Sequence, residues 1–253
     1  FSAPYGMTTV GSYATYANLH MKTYGTTSEQ LAEIAVTMRQ HATLNPLAKM
    51  RNPITIDDVL TSRMISRPLH LLDCCIISDG GGAVVVTSLD HARDLRKKPV
   101  QILGCGEAVQ HQGVGYSDIL SIAAKQSGAK ALQMAGVQHS DIDLAMIYDS
   151  FTITVLATLE NLGFCPVGEG GDFVANGGIS LQGSLPVNPD GGGLSSNHPG
   201  MRGIFLVIEA VKQLRNECDA RQVPNAEVAL AHGTGGTIGD KHSGATLILG
   251  VDR

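Results

Sequence analysis

The sequence predicts a layered α/β protein, and three observations carry that prediction. From Val100 onward, short apolar runs rich in Val, Ile and Leu alternate with stretches of helical periodicity. Glycine stands at the joints between them, as at Gly163 and in Gly233-Thr-Gly-Gly236. Hydrophobic residues make up 43% of the 253 residues and charged residues 16%, which excludes a disordered chain. That balance is enough for one large core or two modest ones, with some surface covered by partner subunits.

Residues 8–24 read as a helix stopped by Gly25, and Thr27 with Gln30 forms a capping box for a second helix through Ala42. A proline-punctuated loop follows from Asn45 to Pro53, and Thr55 caps a short helix to Ser62. Residues 69–87 are β-rich, broken by Asp79-Gly-Gly-Gly82, and Val84–Thr87 reads as a strand buried on both faces. A short helix over Asp90–Leu95 and the linker Arg96-Lys-Lys-Pro99 mark the best internal boundary. Beyond it the pattern predicts strands at Val100–Gly106, Asp141–Tyr148, Glu227–His232 and Ala245–Gly250. Helices are expected at Ser121–Ala135, Phe151–Leu162 and Met201–Arg215, the last carrying Ile204, Val207, Ile208, Val211 and Leu214 on one face. Asn176–Gly183 reads as a glycine-rich turn.

The net charge of −5 gives no electrostatic case for nucleic acid or an anionic membrane. Five irregularly spaced cysteines do not make a secreted disulfide framework, and a reducing, cytoplasmic setting is expected, with Cys74 and Cys75 as buried free thiols. No apolar run has the length of a membrane span, and no metal site is expected from the histidine and cysteine spacing. Gly104-Cys-Gly106 lacks the rest of a dinucleotide fingerprint, and Gly233-Thr-Gly-Gly236 lacks the Lys-Ser/Thr of a phosphate loop. Asp240-Lys-His242 reads as a solvated turn. The chain begins Phe1-Ser-Ala-Pro without an initiator Met and is read as incomplete at its N-terminus.

The most informative stretch is Asn188–Gly200, a glycine-rich loop that presents His198 ahead of an apolar helix, with Pro199 suited to that helix's first turn. Tyr148, His198 and His232 are each expected at the C-terminal end of a strand, the edge where α/β sheets bind ligands. Together they offer a base near neutral pH and donors for a developing oxyanion.

Five segments carry a family resemblance: Tyr24–Ala32, Leu72–Gly80, Tyr148-Asp-Ser-Phe151, Gly193–Gly200 and His232–Gly236. They resemble the thiolase superfamily, in its sterol-carrier-protein-type and lipid-transfer branch, over essentially the whole chain. The resemblance implies an αβαβα fold of two similar halves with a helical loop region over a coenzyme A site. On that basis residues 1–75 are the loop region of the N-terminal half. Residues 76–98 are the end of that half and a linker, and 99–253 are the C-terminal half. It implies His198 as the base, Tyr148 and His232 as acid/base or oxyanion groups, and Ser195, Gly192 and Gly193 as contacts to coenzyme A. The acyl thioester is then a substrate, with no resident cofactor, and the nucleophilic cysteine of thiolases is expected upstream of Phe1. Tyr148 stands where thiolases have an amide or imidazole, and Ser150 where the sterol-carrier branch has a cysteine.

The leading expectation is thiolysis of a 3-oxoacyl-coenzyme A or the reverse Claisen condensation, an acyltransferase activity. A retro-aldolase acting on steroid side-chain β-hydroxyacyl thioesters, with a small zinc-ribbon/OB-fold partner, is the second. A silent acyl-thioester-binding or scaffold subunit is the third. A homodimer or higher oligomer is implied for all three.

Overall fold

The computed structural model describes residues 8–111, 118–200, 202–239 and 241–252. Helix α1 (Thr9–Tyr24) is capped by the Thr8 hydroxyl and ends at Gly25 in the left-handed region. Helix α2 (Ser28–Thr43) starts at the Thr27/Gln30 capping box, and α3 (Ile56–Thr61) at an equivalent box of Thr55 with Asp58. A small hairpin of β1 (Met64–Ser66) and β2 (Leu69–His70) completes this helical region. The helices cohere through buried Tyr13, Tyr16, Ala17, Leu31, Ile34 and Met38, which join the main core.

After α4 (Leu89–Arg93), the main sheet is built from β3 (Val100–His111), β4 (Leu144–Ile147), β5 (Val228–Gly236) and β6 (Lys241–Val251). Their order is β3-β6-β5-β4, with β4 parallel to β5 and the other pairs antiparallel. Both faces are covered, which is why β4 is buried at all four positions and reads as a continuous apolar run. On one face, α8 (Gly203–Leu214) packs Leu206, Ala210 and Leu214 against Leu144, Met146, Ala229 and Leu249. On the other, α5 (Ala124–Ala135) and α6 (Thr152–Leu162) meet Ala145, Ile147, Leu230 and Ile248. Glycine in β3 is what brings α5 so close: a Cβ at Gly106 would collide with the Ser127 carbonyl. A further helix, α7 (Gly170–Ala175), leads into the glycine-rich turn.

The predicted α/β class stands, with several local corrections. Val84–Thr87 pairs with no strand among the described residues, and Val84, Val85 and Val86 are 40%, 90% and 74% exposed. The described residues offer it no neighbouring strand; the chain lies along α8 instead, with Gly80 against Pro199 and Phe205 and Gly82 against Ile204 and Ile208. Cys74 and Cys75 are half-buried rather than buried. His242 belongs to β6 and is buried, not solvated, because its side chain lies on the same inner face as His232 and Thr246; Asp240 falls outside the described residues. Strands β3, β5 and β6 run longer than apolar composition alone suggests, since ladder bonds continue through their polar and glycine ends. Helix α8 begins only at Gly203, so Pro199 precedes it rather than opening it; Gly200, with φ of 78°, turns the chain in between. Among the described residues no helix is long and apolar enough to cross a membrane.

Replacing Gly106 by Ala sets a methyl group against helix backbone that cannot rotate away. We expect a loss of about 1–3 kcal/mol in urea unfolding at neutral pH, whereas an unchanged midpoint would mean that α5 moves freely over β3.

Candidate functional site

The site is assembled at the end of β4. Beyond that strand, residues 186–188 run alongside it: Ala145 N donates to the Pro186 carbonyl at 2.9 Å and Asn188 N to the Ala145 carbonyl at 3.0 Å. Asn188, with φ of 48°, then clamps Ile147 twice, accepting from its N–H at 2.7 Å and donating to its carbonyl at 2.8 Å. This fixes where the following loop starts relative to Tyr148. A single π-helical turn, Gly192–Ser196, follows and carries the chain to Asn197 and His198.

What holds that turn is charge. The Asp149 carboxylate is fully buried and accepts from Gly193 N at 2.6 Å and Leu194 N at 3.1 Å. Arg202 is also fully buried: Nη2 donates to both Asp190 oxygens at 2.8 and 3.0 Å, and Nη1 to the Asn197 carbonyl and side-chain oxygens, each at 3.0 Å. Its Nε lies 3.3 Å from Asp149 Oδ1, an ion pair without hydrogen-bond alignment. Burial pushes the Asp149 carboxyl up to about 6, opposed by Arg202 and the two N–H groups. Gly192 is obligatory here, since a Cβ would strike the Asp149 carboxylate.

On this support stand Tyr148 and His198. Tyr148 Oη lies 2.8 Å from His198 Nε2, with the rings edge to face at 5.3 Å. His198 N donates to Ser78 Oγ at 2.9 Å, and Tyr148 N to the His232 carbonyl at 2.9 Å. Burial, with Arg202 adding to it, holds His198 below the usual histidine range. Burial chiefly, with Cys75 and Tyr13 next, pushes the Tyr148 phenol up to about 12. At neutral pH the pair is therefore a protonated phenol hydrogen-bonded to a neutral imidazole, and with the proton of His198 on Nδ1 the phenol is the donor. Such a pair can take a proton from a bound hydroxyl through the phenol and pass the phenolic proton to the imidazole.

The other predicted residues sit elsewhere. His232 lies inside β5, not at its end, and its side chain points to the α5 face, where Nδ1 meets Thr246 Oγ1 at 2.8 Å and Thr246 meets Ser127 at 3.0 Å. Tyr148 packs with the cluster on the α8 face, so His232 lends the site only its carbonyl. Ser195 is buried and accepts from Arg39 Nε at 2.9 Å, while Gly192 and Gly193 enclose the Asp149 carboxylate. All three therefore build the loop from within. Ser150 is buried and 3.0 Å from Thr154 Oγ1. Cys75, whose N–H donates to the Ser150 carbonyl at 2.9 Å, is close to the pair, yet burial pushes its thiol up to about 11 and that of Cys74 to about 12. Neither is a ready thiolate. Among the described residues no three His, Cys, Asp or Glu side chains come together as a metal site.

Sequence reasoning missed Asp149, Asp190, Arg202 and Asn188. Asp149 sat in plain view beside Tyr148. Arg202, one charge at the head of an apolar helix, carried no signal that it points inward.

A family model described as thiolase C-terminal domain-like matches residues 106–251. A steroid side-chain-cleaving aldolase of Thermomonospora curvata is 41% identical over 99% of this chain and 64% of its own length. An acetyl-CoA acetyltransferase of Methanothermobacter thermautotrophicus is 39% identical over 94% of this chain and 63% of its own. The solved structure of an Ltp2-ChsH2(DUF35) aldolase superposes with a TM-score of 0.89 at 39% identity, covering 99% of this chain and 66% of that one. The chain thus spans a little under two thirds of these relatives.

Two outcomes test the site's framework. Replacing Arg202 by Leu leaves Asp149 and Asp190 buried without a cation, and we expect about 3–5 kcal/mol lost in denaturant unfolding. The second concerns the buried histidines. Burial holds His232 down to about 3, helped by His242, and His242 itself to about 4, from an ordinary 6.5. Between 6.5 and about 4 the unfolded chain binds protons that the folded chain refuses, so stability is fullest above that window and falls as pH drops through it. Urea midpoints measured at pH 7 and pH 5 should show the lower value at pH 5; equal midpoints would count against buried neutral imidazoles.

Proposed function

Because this chain belongs to the thiolase superfamily, matched through its C-terminal domain-like family, we propose that it carries the acid/base half of a C–C bond-cleaving site for coenzyme A thioesters, and that the reaction is retro-aldol cleavage of a β-hydroxyacyl thioester on a steroid side chain. The observation that carries this reading is the 2.8 Å bond between Tyr148 Oη and His198 Nε2. A retro-aldol step needs a base for the substrate β-hydroxyl and no nucleophile on the enzyme. Tyr148 takes that proton as His198 takes the phenolic one. The Cα–Cβ bond then breaks, the β-carbon leaves as a ketone, and the electron pair passes into the thioester as an enolate. A proton returned to Cα gives the shortened thioester, with no net oxidation or reduction. Support also comes from the aldolase relatives, at 41% and 39% identity. By the same analogy the working assembly includes a small zinc-ribbon/OB-fold partner protein.

Thiolysis is the second reading, favoured by the neutral His198 of the Asn197-His-Pro199 loop and by the acetyltransferase relative. It requires an activated cysteine, which the resemblance puts upstream of Phe1, since Cys74 and Cys75 both stay protonated at neutral pH.

The test is an assay of the full-length protein with its partner on two substrates, a steroid side-chain β-hydroxyacyl-coenzyme A and acetoacetyl-coenzyme A with free coenzyme A. Cleavage of the first is expected, with Tyr148→Phe and His198→Ala each lowering kcat about 10²–10⁴-fold. Thiolysis of the second without cleavage of the first would replace this reading with the thiolase one.

A further inference from the structure

We propose that Ser78, just before the Asp79-Gly-Gly-Gly82 turn, is a positioning residue for His198. The inference rests on the reading of Tyr148 and His198 as the reacting groups. Ser78 Oγ accepts the backbone N–H of His198 at 2.9 Å. That bond falls where the loop has no regular structure to support it. Behind it, the π-helical turn ends at Ser196, and Asn197 is held by Arg202 and by a 3.3 Å bond from its N–H to the Gly192 carbonyl. Ahead of it, Pro199 has no N–H to give, Gly200 turns the chain at φ of 78°, and α8 begins only at Gly203. His198 lies outside every helix and strand, so its backbone is located by single bonds rather than by a ladder.

Ser78 can serve as an anchor because its own segment is tied to both parts of the site. Cys75 N donates to the Ser150 carbonyl at 2.9 Å and Ile76 N to the Gly193 carbonyl at 3.0 Å. Cys74 and Phe151 also form an antiparallel bridge. Lys49 Nζ donates to the Ile77 carbonyl at 2.7 Å, one residue before Ser78. Two residues past Ser78, Gly80 lies so close to α8 that a Cβ there would stand 3.3 Å from the Phe205 ring and 3.6 Å from Pro199. Residues 74–80 are therefore a strap. One end is tied to the segment that carries Tyr148, the other to the loop that carries His198. The 2.8 Å between Tyr148 Oη and His198 Nε2 is set across that strap. A shift of about 1 Å in a reacting group can cost about a hundredfold in rate. Without the Ser78 oxygen, the His198 N–H loses its partner in a half-buried place, and the loop is free to settle elsewhere.

The test uses the full-length protein with its partner and the β-hydroxyacyl-coenzyme A substrate. Ser78→Ala removes the acceptor, and kcat is expected to fall about tenfold to a hundredfold with KM little changed. Ser78→Thr keeps the oxygen and should keep most of the turnover. Combined with His198→Ala, Ser78→Ala should add no further loss, because it acts only through that imidazole. Wild-type turnover in Ser78→Ala, a Ser78→Thr variant as slow as Ser78→Ala, a loss that appears in KM alone, or a further loss in the double variant would each overturn the proposal. His198→Ala, measured alongside, separates the two levels. If it is crippled while Ser78→Ala turns over normally, the positioning role alone fails. If His198→Ala is fully active, the reading of the pair fails and takes this inference with it.

Discussion

Removing the Arg202 guanidinium from water completely costs several kcal/mol unless its charge is matched, and here two buried carboxylates match it. Asp190 takes it bidentately, Asp149 lies 3.3 Å from its Nε, and Asn197 takes the remaining fork. These partners come from three places: the residue after Tyr148, the start of the glycine loop, and the residue before His198. One side chain therefore spans every segment that bears the site. A lysine in its place, with a single point of charge, would not reach the same set. The glycines follow from this arrangement, since the loop must wrap a carboxylate closely enough for two backbone N–H groups to reach it.

The framework explains why the site is electrically quiet on its surface. With charge locked beneath the loop, the two groups above it remain neutral at neutral pH, a phenol held high and an imidazole held low. A phenol and an imidazole 2.8 Å apart can relay a proton directly, at the moment when a substrate hydroxyl gives up its own proton to the phenol oxygen. The sheet separates this chemistry from the second histidine. Side chains alternate across a strand, so His232 shares a backbone bond with Tyr148 while its ring serves the opposite layer.

Much of this could be read from the residues in advance. The capping box at Thr27, the cap at Thr55 and the glycine stops at Gly25 and Gly163 each follow from local rules, and the elements appear where those rules put them. In α8 the face that packs on the sheet is Leu206, Ala210 and Leu214, of which the expected apolar set contains only Leu214. The closeness of Tyr148 and His198 followed from their motifs. What local rules cannot give is orientation. A strand ending at His232 puts that residue at the site, but the strand continues through the following glycines and its parity turns the ring away. The resemblance makes Ser195, Gly192 and Gly193 contacts to coenzyme A, whereas in the fold Ser195 bonds Arg39 and the glycines enclose an internal carboxylate. Arg202 is the complementary failure, since one charge before a helix looks like surface until the fold closes around it.

The bare run Val84–Val86 has a practical corollary. Three consecutive β-branched residues with no charge among them, exposed among the described residues, have the composition of a strand that other strands can pair with. Prepared by themselves, these 253 residues should lose material through intermolecular β-pairing at that window before the sheet unfolds.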